Sequence, residues 1–208
     1  MPAEIVDDVW DITCLDEPAG KRYRTFLFTD GTPTLIDAGL ETTTDTLIDA
    51  IEEIGTRPER LILTHGDGDH VGGFDKIVAE YEPETHVPEQ TTYDFAEPPD
   101  HRYGHGASIG RFEAVHLPGH EPDNHGLVDE DAGIAVMGDA LSGADQRGLP
   151  RGYFVLPPAV YTQDLNQAEE SLDRLLDYEF SVGLVFHGES VLEDASEKVE
   201  RFVNFPGK

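Results

Sequence analysis

Apolar residues come in short runs along this chain, and most runs end in a cluster of turn formers. Thr25-Phe26-Leu27-Phe28-Thr29 is β-prone, Asp30-Gly31 is a hairpin signal, and Thr34-Leu35-Ile36-Asp37 follows it. Residues 4–37 therefore read as strands. Between residues 42 and 54 the period changes, and Leu47, Ile48, Ile51 and Ile54 fall on one helical face. Thr42 with Asp45 has the pattern of a capping box, and Gly55 and Pro58 end the helix. Leu61-Ile62-Leu63 comes next as a short buried strand, which completes a β-α-β step. A second short helix is predicted from near Gly72, with Phe74, Ile77, Val78 and Tyr81 inward. Residues 82–110 are rich in Pro, Glu, His and Gly and show no clear period.

The second half repeats the style. Residues 112–117, 133–141 and 182–186 read as buried strands, and 142–162 as a long loop without secondary structure of its own. Asp164 with Gln167 caps a helix that carries Leu165, Ala168, Leu172, Leu175 and Leu176. Ser190 with Glu193 has the same pattern ahead of a final helix bearing Leu192, Ala195, Val199, Phe202 and Val203.

A length of 208 residues suits one domain, 1–208, with a real core. The charge narrows the setting. There are 43 acidic against 14 basic side chains, a formal net charge of −29, spread along the chain with no acidic tail. Self-repulsion of that size opposes compaction at low salt, and molar salt screens it, because the Debye length there is about 3 Å. The composition is read as adaptation to a salty cytosol, as in halophilic archaea. It disfavours nucleic acid as a partner. One cysteine, Cys14, excludes an internal disulfide framework. No run approaches the roughly 20 apolar residues that span a membrane, and the acidic N-terminus is no signal peptide, so a cytoplasmic location is expected.

The candidate chemistry starts at the end of the Leu61-Ile62-Leu63 run. His65, Asp67, Asp69 and His70 follow within seven residues, spaced by Gly66 and Gly68. Imidazole nitrogens and carboxylate oxygens are the ligands of zinc and other first-row divalent ions. Four such groups at one strand end would crowd and repel without a cation between them. Further along, Pro118-Gly119-His120 follows a strand, Gly138-Asp139 ends another, and His187-Gly188 a third.

This order of motifs resembles the metallo-β-lactamase superfamily, whose signature is His-x-His-x-Asp-His. Here it reads His-x-Asp-x-Asp-His, with Asp67 where the family has its second histidine. Asp37, the His65–His70 loop, His120, Asp139 and His187 match in family order across residues 37–187. The resemblance implies an α/β fold, the αββα four-layer sandwich, with the site along one edge. It implies a first metal on His65, Asp67 and His120, a second on Asp69, His70 and His187, and Asp139 bridging them. Asp37 would support the loop without binding metal. Two dications carry +4, the three aspartates −3, and a bridging hydroxide would bring the core to neutral. Zinc is the first choice, with manganese and iron favoured more than usual by the carboxylate at Asp67.

The function this implies is a binuclear metal-dependent hydrolase acting on a small ester, thioester or lactone. Asp69 and Asp139 are its candidate catalytic residues. His125, Arg147 and Arg151 are candidate substrate contacts, the arginines for an anionic group on a small-molecule substrate. Rival readings are a phosphodiesterase or nuclease of the ribonuclease Z type, a metal-binding module that has lost activity, and a mononuclear-iron oxidoreductase of the persulfide dioxygenase kind. The chain lacks a basic patch, which weighs against the nuclease.

Overall fold

A computed structural model describes residues 2–16 and 21–205. The chain divides into two compact units, Met1–Tyr103 and Gly104–Lys208.

The first unit is a seven-stranded sheet covered by helices. Its strands are β1 (Ala3–Val6), β2 (Val9–Asp16), β3 (Lys21–Phe28), β4 (Thr34–Ile36), β5 (Arg60–Ile62), β6 (Glu84–Pro88) and β7 (His101–Tyr103), and their spatial order is their chain order. β1 to β4 pair antiparallel, and β4 to β7 pair parallel. Phe26, Leu27 and Phe28 are all fully buried although Leu27 points opposite to its neighbours. A strand with both faces covered reads as such a continuous apolar run. α1 (Thr44–Ile54) follows a turn of 3-10 helix at Glu41–Thr43 and buries Leu47, Ala50 and Ile51. The predicted capping box does not form. Instead the Thr44 hydroxyl donates to the Leu40 and Glu41 carbonyls, and Gly55 ends the helix at φ 80°. α2 (Gly68–Val71) and α3 (Phe74–Tyr81) come next, with Phe74, Ile77 and Tyr81 buried as the pattern predicted. Gly73 joins them where a Cβ would lie 2.3 Å from the Ala38 carbonyl oxygen, so no side chain fits there.

The second unit has a five-stranded sheet in the order β14-β11-β10-β9-β8. These are β8 (Ser108–Ile109), β9 (Phe112–His116), β10 (His125–Asp129), β11 (Ile134–Val136) and β14 (Val182–Leu184). β11 and β14 are parallel, and β9, β10 and β11 pair antiparallel. The 142–162 stretch is not structureless: β12 (Ser142–Gly143) and β13 (Phe154–Val155) form a small hairpin within it. α4 (Leu165–Ser171) has the predicted cap, the Asp164 carboxylate accepting from the Asn166 and Gln167 amides. α5 (Ala195–Val203) starts later than expected. Its N-cap is Asp194 with no side-chain bond, so the Ser190–Glu193 box is absent. Ala195 and Val199 pack with Val115, Leu117, Met137, Leu172 and Val185 in this unit's core.

Candidate metal centre

Parallel pairing explains how the first cluster assembles. β4 and β5 run side by side with Ile36 opposite Ile62, so the residues after their C-terminal ends emerge together. Asp37 leaves β4 at φ 62°, its amide donating to the Ile62 carbonyl at 2.9 Å. Its side chain is fully buried and gathers the loop that follows β5. Oδ1 accepts from the Thr64 amide at 2.6 Å, and Oδ2 accepts from the Thr64 hydroxyl at 2.7 Å. His70 Nδ1 lies 2.7 Å from the same Oδ2.

With Asp37 ionised and both rings neutral, this geometry sets where the protons go. A carboxylate accepts, so His70 carries its hydrogen on Nδ1 and turns the lone pair of Nε2 outward. The Thr64 hydroxyl spends its hydrogen on Asp37, so its oxygen accepts from His65 Nδ1 at 3.0 Å. His65 thereby also presents an unprotonated Nε2. One carboxylate orients two imidazoles, directly and through a hydroxyl, as the groups behind a metal ligand do. The two rings are 4.0 Å apart and both are buried. Burial pushes the Asp37 carboxyl upward, against the pull of His70 and Thr64. Asp67, half-exposed, has Oδ2 3.8 Å from His65 Nε2.

The second unit builds its cluster in the same way. Val136 and Leu184 are register partners in the parallel pair β11/β14. Asp139 and His187 each lie three residues further on. β10 runs antiparallel to both β9 and β11, so the turn carrying His120 opens at the same edge. Asp139 Oδ2 is 3.1 Å from His187 Nε2 and 3.5 Å from His120 Nε2. Asn124, fully buried, locks this edge: its Oδ1 accepts from the Asp139 amide at 2.9 Å and its Nδ2 donates to the Leu117 carbonyl at 3.0 Å. Gly119 stands at φ 136°, and a Cβ there would come within 2.1 Å of the Ala168 amide nitrogen.

The candidate substrate contacts are placed less tightly. His125 is buried at the start of β10, its Nδ1 2.7 Å from the Asp123 carbonyl, and burial lowers its pKa to about 4. Arg147 is exposed and donates to the Leu156 carbonyl at 2.6 Å. Arg151 pairs at 3.0 Å with Glu189, two residues past His187. Thr64 and Asn124 were given no role by sequence reasoning. Thr64 could have been found by its place between strand and histidine, whereas nothing in the local pattern marks Asn124.

Comparison with known proteins gives the family and the fold. A family model described as the metallo-beta-lactamase superfamily matches residues 23–187. An uncharacterized protein of Bacillus subtilis, YobT, is 26% identical over 197 residues, covering 82% of this chain and 84% of its own. The hydroxyacylglutathione hydrolase GloC of Haemophilus influenzae is 31% identical over 145 residues, 58% of this chain and 67% of its own. An atrochrysone carboxyl ACP thioesterase of Passalora fulva is 26% identical over 159 residues, 73% of this chain and 42% of its own. Among solved structures, the metallo-beta-lactamase family protein TTHA1429 of Thermus thermophilus superposes with a TM-score of 0.72 at 17% identity, over 96% of this chain and 79% of that one. With the family model covering most of its length, the chain belongs to the metallo-β-lactamase superfamily.

Proposed function

We propose that the protein is a binuclear metal-dependent hydrolase of a small ester, thioester or lactone. The observation that carries this reading is the Asp37 relay, which leaves Nε2 of both His65 and His70 as lone-pair donors. The donor set of the second unit fits as well. Donors bonded to one ion at about 2.0–2.2 Å lie roughly 3.0–3.5 Å from each other. The distances from Asp139 Oδ2 to His187 and His120, 3.1 and 3.5 Å, have that spacing.

In this reading the two units are parts of one domain, since the family match runs through both. His65, Asp67 and His120 hold a first ion, Asp69, His70 and His187 a second, and Asp139 is shared. When bound, two divalent ions, zinc first and manganese or iron as alternatives, would supply Lewis acidity and an activated water. Asp69 accepts a proton during turnover. Asp37 and Thr64 keep His65 and His70 in the neutral tautomer that can ligate, and Asn124 keeps Asp139 aimed. Arg151 and Arg147 meet an anionic group of the substrate, and His125 lines its approach. The names of the hydrolase and thioesterase relatives favour an acyl substrate over RNA.

The net charge of −29 is read as adaptation to a salt-rich cytoplasm of the halophilic archaeal kind. No helix among the described residues is long and apolar enough to cross a membrane.

The test is elemental analysis of protein purified in molar salt, paired with hydrolysis of a nitrophenyl ester, an acylated thiol, a lactone and a nitrophenyl phosphodiester. At least two metal ions per chain, and ester or thioester turnover that Asp139→Asn reduces at least 100-fold, are expected. Equal turnover in the variant, or a single iron per chain, overturns the proposal. Two tightly held metals without turnover of any of the four would mark a binding module instead.

A further inference from the structure

The described residues hold another group of metal-ligating side chains, and it shares no residue with the centre above. β6 and β7 are parallel neighbours with β7 at the sheet edge, and His86 is the register partner of His101. Glu84 lies two residues before His86, hence on the same face, while Thr85 and Val87 between and beyond them are buried on the other. All three side chains converge. Glu84 Oε1 is 3.0 Å from His101 Nε2, and Oε2 is 3.5 Å from His86 Nε2. The imidazoles stack at 4.6 Å with 25° between their planes, and one donor atom from each of the three residues lies within 4.8 Å of the others.

We propose that Glu84, His86 and His101 form a separate divalent-cation site that ties the edge strand β7 to β6. A zinc-sized ion with bonds of about 2.0–2.2 Å asks for donors roughly 3.0–3.5 Å apart; Glu84 Oε1 and His101 Nε2, at 3.0 Å, have that spacing, and a His86 nitrogen lies within 4.8 Å of the other donors. Three protein donors leave a fourth position for water. Arg60, the register partner of Glu84 on β5, donates to Oε2 through Nη2 at 3.1 Å. It therefore holds one carboxylate oxygen and leaves Oε1 for an ion. His86 Nε2 is buried, and its 3.5 Å contact with Glu84 Oε2 is too long for a good hydrogen bond, so an ion at this place would satisfy it better.

The protonation states suit ligation. Arg60 holds the Glu84 carboxyl below the usual carboxylate range, with smaller help from the two histidines. Burial favours the neutral form of the His86 ring, against the pull of Glu84. Two nitrogens and one oxygen favour zinc, nickel, cobalt or copper over magnesium or calcium.

The test is zinc stoichiometry on stripped protein in molar salt, read by competition with a chromogenic chelator and by elemental analysis. Wild type should hold one zinc more than His101→Ala, an exposed position whose change leaves the fold intact. Zinc should also protect residues 84–103 from amide exchange in wild type and not in the variant. His105→Ala, at another exposed histidine, should keep the wild-type count. Equal stoichiometry for wild type and His101→Ala overturns the site, as does an equal loss in His105→Ala, which would mean unspecific binding to surface histidines. Asp139→Asn read in the same titration reports the catalytic centre separately.

Discussion

Replacing Thr64 by valine removes one hydroxyl and keeps the shape of a fully buried side chain. That hydroxyl makes two bonds, a 2.7 Å donation to the Asp37 carboxylate and a 3.0 Å acceptance from His65 Nδ1. A hydrogen bond to a charged partner contributes about 1.5–3 kcal/mol and a neutral one about 0.5–1.5. Thr64→Val should therefore destabilise the metal-free protein by about 2–4 kcal/mol, read from urea unfolding. The Thr64 amide and His70 keep their own bonds to Asp37, at 2.6 and 2.7 Å, so the clamp on His70 survives. Only the ion held by His65 should weaken, by about tenfold, the low end of what loss of a group behind a metal ligand costs. A stepwise zinc titration against a chromogenic chelator, run in the His101→Ala background so that the Glu84 site is disabled, separates the two affinities proposed for this centre. Unchanged affinity at both steps, with stability down by the expected amount, would refute the relay: Thr64 would then be a structural bond that leaves His65 indifferent.

Other outcomes follow from single features. His125 has a folded-state pKa of about 4, below the ordinary histidine value, so between about pH 6.5 and 4 the unfolded chain takes up a proton that the folded chain refuses. That contribution to stability is complete above pH 6.5 and is lost as pH falls through the window, up to about 3 kcal/mol. His125→Gln should flatten the difference between urea midpoints at pH 7 and pH 4.5, and parallel pH curves for variant and wild type would contradict it. Gly119→Ala places a methyl 2.1 Å from the Ala168 amide nitrogen at φ 136°. The turn must shift, so metal binding at His120 should fail and stability should fall by more than about 3 kcal/mol, measured by unfolding and by titration. With a net charge of −29 the thermal midpoint should climb steeply between 0.1 and about 1 M potassium chloride as the Debye length drops from about 10 to 3 Å, and a flat curve would remove the salt-adaptation reading.

The candidate residues were legible in the sequence because they follow apolar runs, and apolar runs are what sequence shows best. His65, His120, Asp139 and His187 each follow a strand end, and the match of that order to the family pattern gave them their expected roles. β6 and β7 were missed for the opposite reason. Their outward residues are Glu84, His86 and His101, and only three to five residues pair, so no alternation stands out. β10 was missed because all five of its residues are buried, two of them ionisable, which masks a strand as a polar stretch. Both capping boxes that failed, at Thr42 and Ser190, had the right spacing. In each case a preceding turn set the helix start later, and spacing carries no information about that.

Asp67 is the residue on which the family pattern and this chain part, and its place in the fold limits the explanations. It is the N-cap of α2, where an aspartate normally earns its position by accepting from the helix amides. Here the side chain makes no cap bond, and it is the backbone carbonyl of Asp67 that receives the His70 and Val71 amides, both at 2.9 Å. Any residue could supply that carbonyl. Capping therefore does not account for a carboxylate at this position. The side chain instead points one oxygen to within 3.8 Å of the His65 nitrogen that the relay leaves unprotonated. A negative charge beside an imidazole lone pair is repulsive unless a proton or a cation lies between them, and with a neutral ring whose hydrogen faces Thr64 a cation would have to fill that role. The geometry that places Asp67 where the family has its second histidine is therefore compatible with the ligand role proposed for it, with a protonated His65 as the alternative that a metal titration of Asp67→Asn would separate.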